Sequence, residues 1–196
     1  MNLKNIAVFC GASNKVSSFF IEEAHKIGVL LAKLNITLVY GGSKQGMMGA
    51  AADAALKNQG TVLGVFPKNI LDHLEIPHQN LTQLIIASDM QERKLVMFNN
   101  SDAFIIMPGG FGTMDELFEI LTLKYLHHHN KAIIIYNYKN FYDDFESMAK
   151  KFVALGFANE NILKMYVMLN TIEEVELYIN EINNNNDNLL LIKAAR

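Results

Sequence analysis

Residues 103–119 read AFIIMPGGFGTMDELFE. The apolar run from Ala103 to Met107 empties into Pro108-Gly109-Gly110-Phe111-Gly112-Thr113, and then into the acids Asp115 and Glu116. A short apolar run bounded by proline and glycine reads as a strand buried on both faces, and the periodic stretch beyond it reads as a helix over 113–128. Strand, glycine loop and helix together form the repeating unit of a parallel α/β sheet. Glycines at such a turn lower stability unless the backbone needs positive φ or something must approach it closely. Backbone N–H groups, the Thr113 hydroxyl and the positive end of the following helix would together suit a phosphate.

The same pattern recurs outward from this stretch. Strand candidates fall at 5–10, 36–40, 61–66, 82–87, 103–107 and 132–136, with a weaker one near 165–169. Helical periodicity falls near 17–34, 46–58, 89–99, 113–128, 141–155 and 171–183. Continuous apolar strands alternating with helices predict a doubly wound, Rossmann-like parallel sheet with helices on both faces. With 196 residues, 51% hydrophobic and 19% charged, the chain is expected to form a single domain over 1–182. Residues 183–196 are expected to be an Asn-rich spacer leading to the apolar tail Leu189-Leu190-Leu191-Ile192. The lone Cys10 excludes an internal disulfide framework, reads as a core residue at a strand end, and fits a reducing cytoplasm. No apolar run approaches the ~20 residues of a membrane-spanning helix. A net charge of −3 and a pI of about 6.1 advertise neither nucleic-acid nor membrane binding.

In sheets of this kind ligands sit outside the carboxyl ends of the strands. The chemistry-bearing clusters follow strands: Cys10 to Ser13, Gly41 to Gly49, Ser88 to Lys94 and Pro108 to Thr113. Neither glycine loop closes with the Gly-Lys-Ser/Thr of a Walker A motif, and Gly41 to Gly49 lacks GxGxxG spacing. The strand after Gly41 ends in Phe66-Pro67-Lys68 rather than in the acid a NAD site wants, so a dinucleotide is disfavoured.

Two readings of Glu116 stand side by side. Thr113-x-x-Glu116 fits a capping box, with the glutamate folding back onto the helix start. Alternatively Thr113 takes a phosphate and Glu116, one turn on, faces a sugar. Asp115 and Glu119 read as solvated acids favoured near a positive helix end. Asp89-x-x-Glu92 is a second capping pattern. Arg93 behind it belongs either to a wet helix face or to bidentate recognition of phosphate or carboxylate. Glu75 on its own resembles any loop acid. His127, His128 and His129 diverge by about 100° each on a helix and so cannot close on one ion. They read as a helix C-terminus that favours imidazolium. No metal-ligand spacing and no Ser–His–acid triad is legible.

Pro108 to Glu116 resembles the PGGxGTxxE signature of the LOG ("lonely guy") family, cytokinin riboside 5′-monophosphate phosphoribohydrolases long mislabelled as lysine decarboxylases. The likeness spans Ile6 to Ala158 and includes Val8 to Ser13, Val39 to Gly42, Gly46 to Gly49, Gly64 to Lys68 and Asp89-Met90-x-x-Arg93-Lys94. The resemblance implies catalytic roles for Arg93 and Glu116. It implies substrate contacts from Ser13, Gly42, Glu75, Lys94, Gly109, Gly110, Gly112, Thr113 and Thr122. The reaction implied is hydrolysis of the N-glycosidic bond of an (N6-substituted) adenosine 5′-monophosphate, giving free base and ribose 5-phosphate. No metal or organic cofactor is implied, and a homodimer with sites near the subunit interface is. Ser43 stands where many members carry a third glycine, Gln91 where they often carry His, and Asp115 replaces a common glutamate. Those departures bear on base preference more than on the reaction. The alternatives are a general AMP or pyrimidine nucleotide nucleosidase, and a non-catalytic nucleotide-binding protein of the same fold. A pyridoxal-phosphate lysine decarboxylase is disfavoured, because no lysine stands in a recognisable Schiff-base setting.

Overall fold

The computed structural model describes residues 2–68 and 76–184; Glu75 and the tail Leu189 to Ile192 lie outside the described residues. The strands are β1 (Asn5–Phe9), β2 (Thr37–Tyr40), β3 (Val62–Pro67), β4 (Gln83–Ala87), β5 (Ala103–Ile106), β6 (Ala132–Tyr136) and β7 (Val167–Leu169). They form one sheet in the order β4-β3-β2-β1-β5-β6-β7, and each adjacent pair is parallel. Between them run α1 (Ser18–Lys33), α2 (Gly46–Lys57), α3 (Met90–Asn99), α4 (Phe111–Tyr125), α5 (Asp143–Ala154) and α6 (Ile172–Asn184).

Alternation along each strand divides the core into two layers. Ile6, Val8, Leu38, Tyr40, Ala103 and Ile105 point to the layer covered by α1, α2 and α6. Ala7, Phe9, Val39, Phe104 and Ile106 point to the layer covered by α3, α4 and α5. The sheet is thus doubly wound, as the unbroken apolar strands predict. Among the described residues no helix is long and apolar enough to cross a membrane.

Helix starts decide where side chains point. At α3 the expected cap forms: Asp89 Oδ1 accepts from the Glu92 amide at 2.8 Å, and the Glu92 carboxylate accepts from the Ser88 amide at 2.6 Å. The expected cap at α4 does not. Its N-cap is Gly110, and the helix begins at Phe111, two residues earlier than the sequence predicts. Thr113 and Glu116 are therefore both interior helical residues, so the Thr113–Glu116 capping box is ruled out. The reason is local: Thr113 Oγ1 tucks against Gly109, where an added Cβ would come within 2.1 Å of it.

The chain builds outward from β1 through β2, β3 and β4, then returns to lay β5 on the other side of β1. The loops after β1 and β5 diverge at that switch and leave a crevice between them. They are sewn together at its base, where the Gly11 amide donates to Pro108 O at 3.1 Å and the Met47 amide donates to Gly11 O at 3.0 Å. Fully buried Tyr142, just before α5, donates its hydroxyl to Met107 O at 2.7 Å and holds β5 to its loop. Burial, then the charges of Cys10 and Glu116, push the Tyr142 pKa up, which keeps the phenol a donor.

Candidate active site

A cavity of about 490 Å³ occupies the crevice, within the range of small-molecule sites. One wall is polar: Ser13, Arg93, Gly109, Gly110, Gly112, Thr113 and Glu116. The other is apolar, with Val16, Phe20, Met47, Met48 and Phe141, while Met90 sits beside Arg93, its Sδ 3.8 Å from Nη1. Cys10, read as a core residue, is indeed buried, and it also touches the cavity.

The polar wall carries the glycine loop that opens α4. Gly110 and Gly112 do not have positive φ, and a Cβ added at either would meet nothing within 4 Å. Neither glycine is required by the turn or by a packed neighbour. Their bare backbones face the cavity at the start of a 15-residue helix, where N–H groups and the helix dipole favour an anion.

Arg93 is only 3% exposed, so the wet-face reading is excluded. Its Nε donates to Val65 O at 3.1 Å and its Nη2 to Gly41 O at 2.9 Å. The guanidinium lies so close to Gly41 that any Cβ there would fall 1.8 Å from Nη2. The carbonyl of Gly41 just after β2 and that of Val65 within β3 thus fix the plane of a cation whose edge borders the cavity. Glu116, on the second turn of α4, is 5% exposed and lines the same cavity. A carboxylate and a guanidinium, both buried and both lining one crevice, can respectively stabilise a developing cation and bind an anionic or electron-rich group.

The remaining rim residues scatter. Ser13 borders the cavity, with its Oγ accepting from the Lys15 amide at 3.1 Å. Gly42, at φ +77°, accepts from the His78 amide at 2.8 Å and lies outside the cavity lining. Lys94 turns away toward Asp115 and Glu119. Those two acids, expected to be merely solvated, are ion-paired. Thr122 sits lower on α4, in an apolar groove shared with α5. His129 lies beyond the helix, with Nε2 2.9 Å from Ile120 O and Nδ1 accepting from the Lys131 amide at 3.1 Å. Burial lowers its pKa, so the expected imidazolium is replaced by a neutral ring packed edge-on against the stacked pair Phe98 and Phe104. No three His, Cys, Asp or Glu side chains among the described residues could share a metal ion.

The apolar wall escaped the sequence reading, because Phe and Met on amphipathic helices look like core. Its aromatic part is braced from behind. Tyr136 donates its hydroxyl to buried Glu23 at 2.5 Å, and Glu23 also accepts from Lys26 at 2.6 Å. Tyr136 stacks on Tyr138 at 6.1 Å, Tyr138 meets Phe20 edge-on at 6.1 Å, and Phe20 meets Phe141 edge-on at 6.0 Å.

Over residues 48–179 the chain matches a family model described as "Possible lysine decarboxylase". A cytokinin riboside 5′-monophosphate phosphoribohydrolase of Rhodococcoides fascians is 39% identical over 154 residues, covering 79% of this chain and 78% of that protein. One of Arabidopsis thaliana with the same activity in its name is 39% identical over 156 residues, covering 79% and 72%. The molybdenum cofactor binding protein of Rippkaea orientalis superposes with a TM-score of 0.70 at 20% identity, over 93% of this chain and 98% of that one. That last likeness bears on the fold alone.

Proposed function

The chain belongs to the LOG family, and on that premise we propose that it hydrolyses the N-glycosidic bond of N6-substituted adenosine 5′-monophosphates, releasing free base and ribose 5-phosphate. The observation that carries this reading is the pair of unencumbered glycines, Gly110 and Gly112, facing a cavity that Arg93 and Glu116 also line. The 5′-phosphate takes the Gly109–Thr113 backbone and the N-terminus of α4. The base, with its substituent, takes the apolar wall. The ribose then lies between, against Glu116.

As the bond from C1′ to the base nitrogen breaks, its electron pair leaves with the base and the ribose becomes oxocarbenium-like. The buried Glu116 carboxylate stabilises that charge and aligns or deprotonates the water that adds to C1′. The departing base takes up a proton. Arg93, fixed by two carbonyls, anchors and polarises the nucleotide. Phosphate binding away from the reacting bond supplies orientation. No step calls for a metal or an organic cofactor. The lone thiol suits a cytoplasmic setting, residues 1–182 act as one nucleotide-binding domain, and exposed Ile86 on β4 and Leu95 on the neighbouring α3 suit a homodimer with sites near its interface.

The test is incubation with AMP, its N6-isopentenyl derivative and the two matching nucleosides, followed by chromatography for free base. Both nucleotides should release base, the substituted one faster, and the nucleosides should not. Equal rates on adenosine and AMP would remove the phosphate cradle from the mechanism. Glu116→Gln keeps the side chain's length and should lower turnover by about a hundredfold or more while nucleotide binding persists. Wild-type turnover in that variant would leave the reaction without its central group.

A further inference from the structure

Lys94 follows Arg93 on α3, yet its side chain takes a different course. Nζ lies 2.9 Å from Asp115 Oδ2 and 2.7 Å from Glu119 Oε2, and the side chain is only 10% exposed. Burial acts to lower its pKa, but Glu119 and Asp115 outweigh that and hold the ammonium above its usual value. Its two partners flank Glu116 on α4, one residue before it and three after. Lys94, Glu116 and Glu119 also line a second cavity of about 300 Å³ on the far side of that turn. Glu116 borders both cavities, so the turn carrying it is the wall between them.

We propose that Lys94 is a positioning residue for Glu116: it ties α4 to α3 and offsets the two carboxylates beside the catalytic one. The inference rests on the hydrolase reading above. Residues three apart on a helix are surface neighbours, so Glu119 lies beside Glu116. Like charges at that range favour protonation, and a protonated Glu116 cannot balance a cationic ribose. One buried ammonium shared by two acids counters this, and it fixes the helix bearing Glu116 relative to the helix bearing Arg93. Solvent screens the acids in part, Asp115 at 60% and Glu119 at 38% exposed, while the ammonium between them is held at 10%, so the pairing with Glu119 is the stronger of the two. The other charged or titratable groups around Glu116 are Arg93 from α3, Cys10 after β1, Tyr142 before α5 and His128 at the second cavity.

The experiment measures kcat, KM and the acid limb of the pH profile for AMP hydrolysis in wild type and variants. Lys94→Met should lower kcat by about tenfold with KM nearly unchanged, and move the acid limb up by about half a unit to one unit. Lys94→Arg should restore most of kcat. Adding Asp115→Asn and Glu119→Gln to Lys94→Met should return the limb toward its wild-type place. Glu119→Gln alone keeps the lysine and its fold, and should move the limb down; a limb that does not move overturns the proposal even if Lys94→Met fails to fold. A Lys94→Met protein with raised KM but unchanged kcat and limb overturns the positioning role in favour of a substrate contact. Wild-type kinetics in that variant overturn it as well. Absence of base release by the wild type is a separate failure, and overturns the hydrolase reading together with this one.

Discussion

The two glycine loops on the rim look alike as sequence and differ in physical cause. After β2, Gly41 and Gly49 are demanded by the protein's own atoms: a Cβ at Gly41 would meet Arg93 Nη2 at 1.8 Å, and one at Gly49 would meet Lys44 O at 2.1 Å. After β5, Gly110 and Gly112 have open space where a Cβ would go. One loop has shed its side chains to let the chain close on itself. The other has shed two of its three toward the cavity, where a ligand would go, while Gly109 is bare because Thr113 packs against it. Glycine richness alone does not separate a packing device from a binding device; the neighbours of the missing Cβ do.

The largest effect expected from this contrast is on folding. Alanine normally stabilises a helix interior over glycine, but Gly49→Ala should destabilise by about 3 kcal/mol, because its methyl would press on a backbone carbonyl. Thermal unfolding should show the midpoint falling by about 10 °C; a raised midpoint would break the comparison. The next effect is on binding. Gly112→Ala should leave the melting midpoint unchanged or slightly higher, while kcat/KM for AMP falls by about tenfold, or about 1.4 kcal/mol. Calorimetry beside a rate assay checks both halves, and an alanine that lowers stability without touching the rate would make the second loop a packing device too.

The smallest effect belongs to His129, beyond the far end of α4 and outside both loops. Its pKa is lowered from 6.5 in the folded chain, chiefly by burial, so the unfolded chain binds the proton more readily. Stability should therefore fall as pH drops through about 6.5 and continue to fall toward the folded-state value. Denaturant unfolding at neutral and mildly acidic pH should show this dependence weakened in His129→Gln. Nucleotide affinity should be indifferent to the change, which would separate the stability of α4 from the function of its first turn.

The fold was legible because short, β-branched runs such as Ala132-Ile133-Ile134-Ile135-Tyr136, alternating with helical patterns, read as strands covered on both faces. The rim was legible because clusters such as Pro108 to Thr113 follow those strands. What stayed hidden turned on single contacts between distant residues. Asp89 caps its helix as its spacing predicts, while Thr113, with equally good spacing, is drawn inside its helix by the bare Cα of Gly109. Arg93 and Lys94 are adjacent in sequence, yet one is held by the carbonyls of Gly41 and Val65 and the other by acids of α4. Phe20 and Phe141 lie 121 positions apart, and nothing in either helical pattern announces that they share a wall.

That wall has a consequence for recognition. Phe20 and Phe141 are the outer rings of a series that ends in a buried carboxylate, so each already rests on a packed ring before a ligand arrives, with Phe141 still 40% exposed to receive it. A ligand arriving there loses little affinity to ordering the surface, and equally cannot persuade the surface to rearrange around a poor shape. Discrimination among bases on this side of the cavity should behave like a mould rather than a glove: a sharp fall in affinity with each misplaced group, carried mainly by faster dissociation.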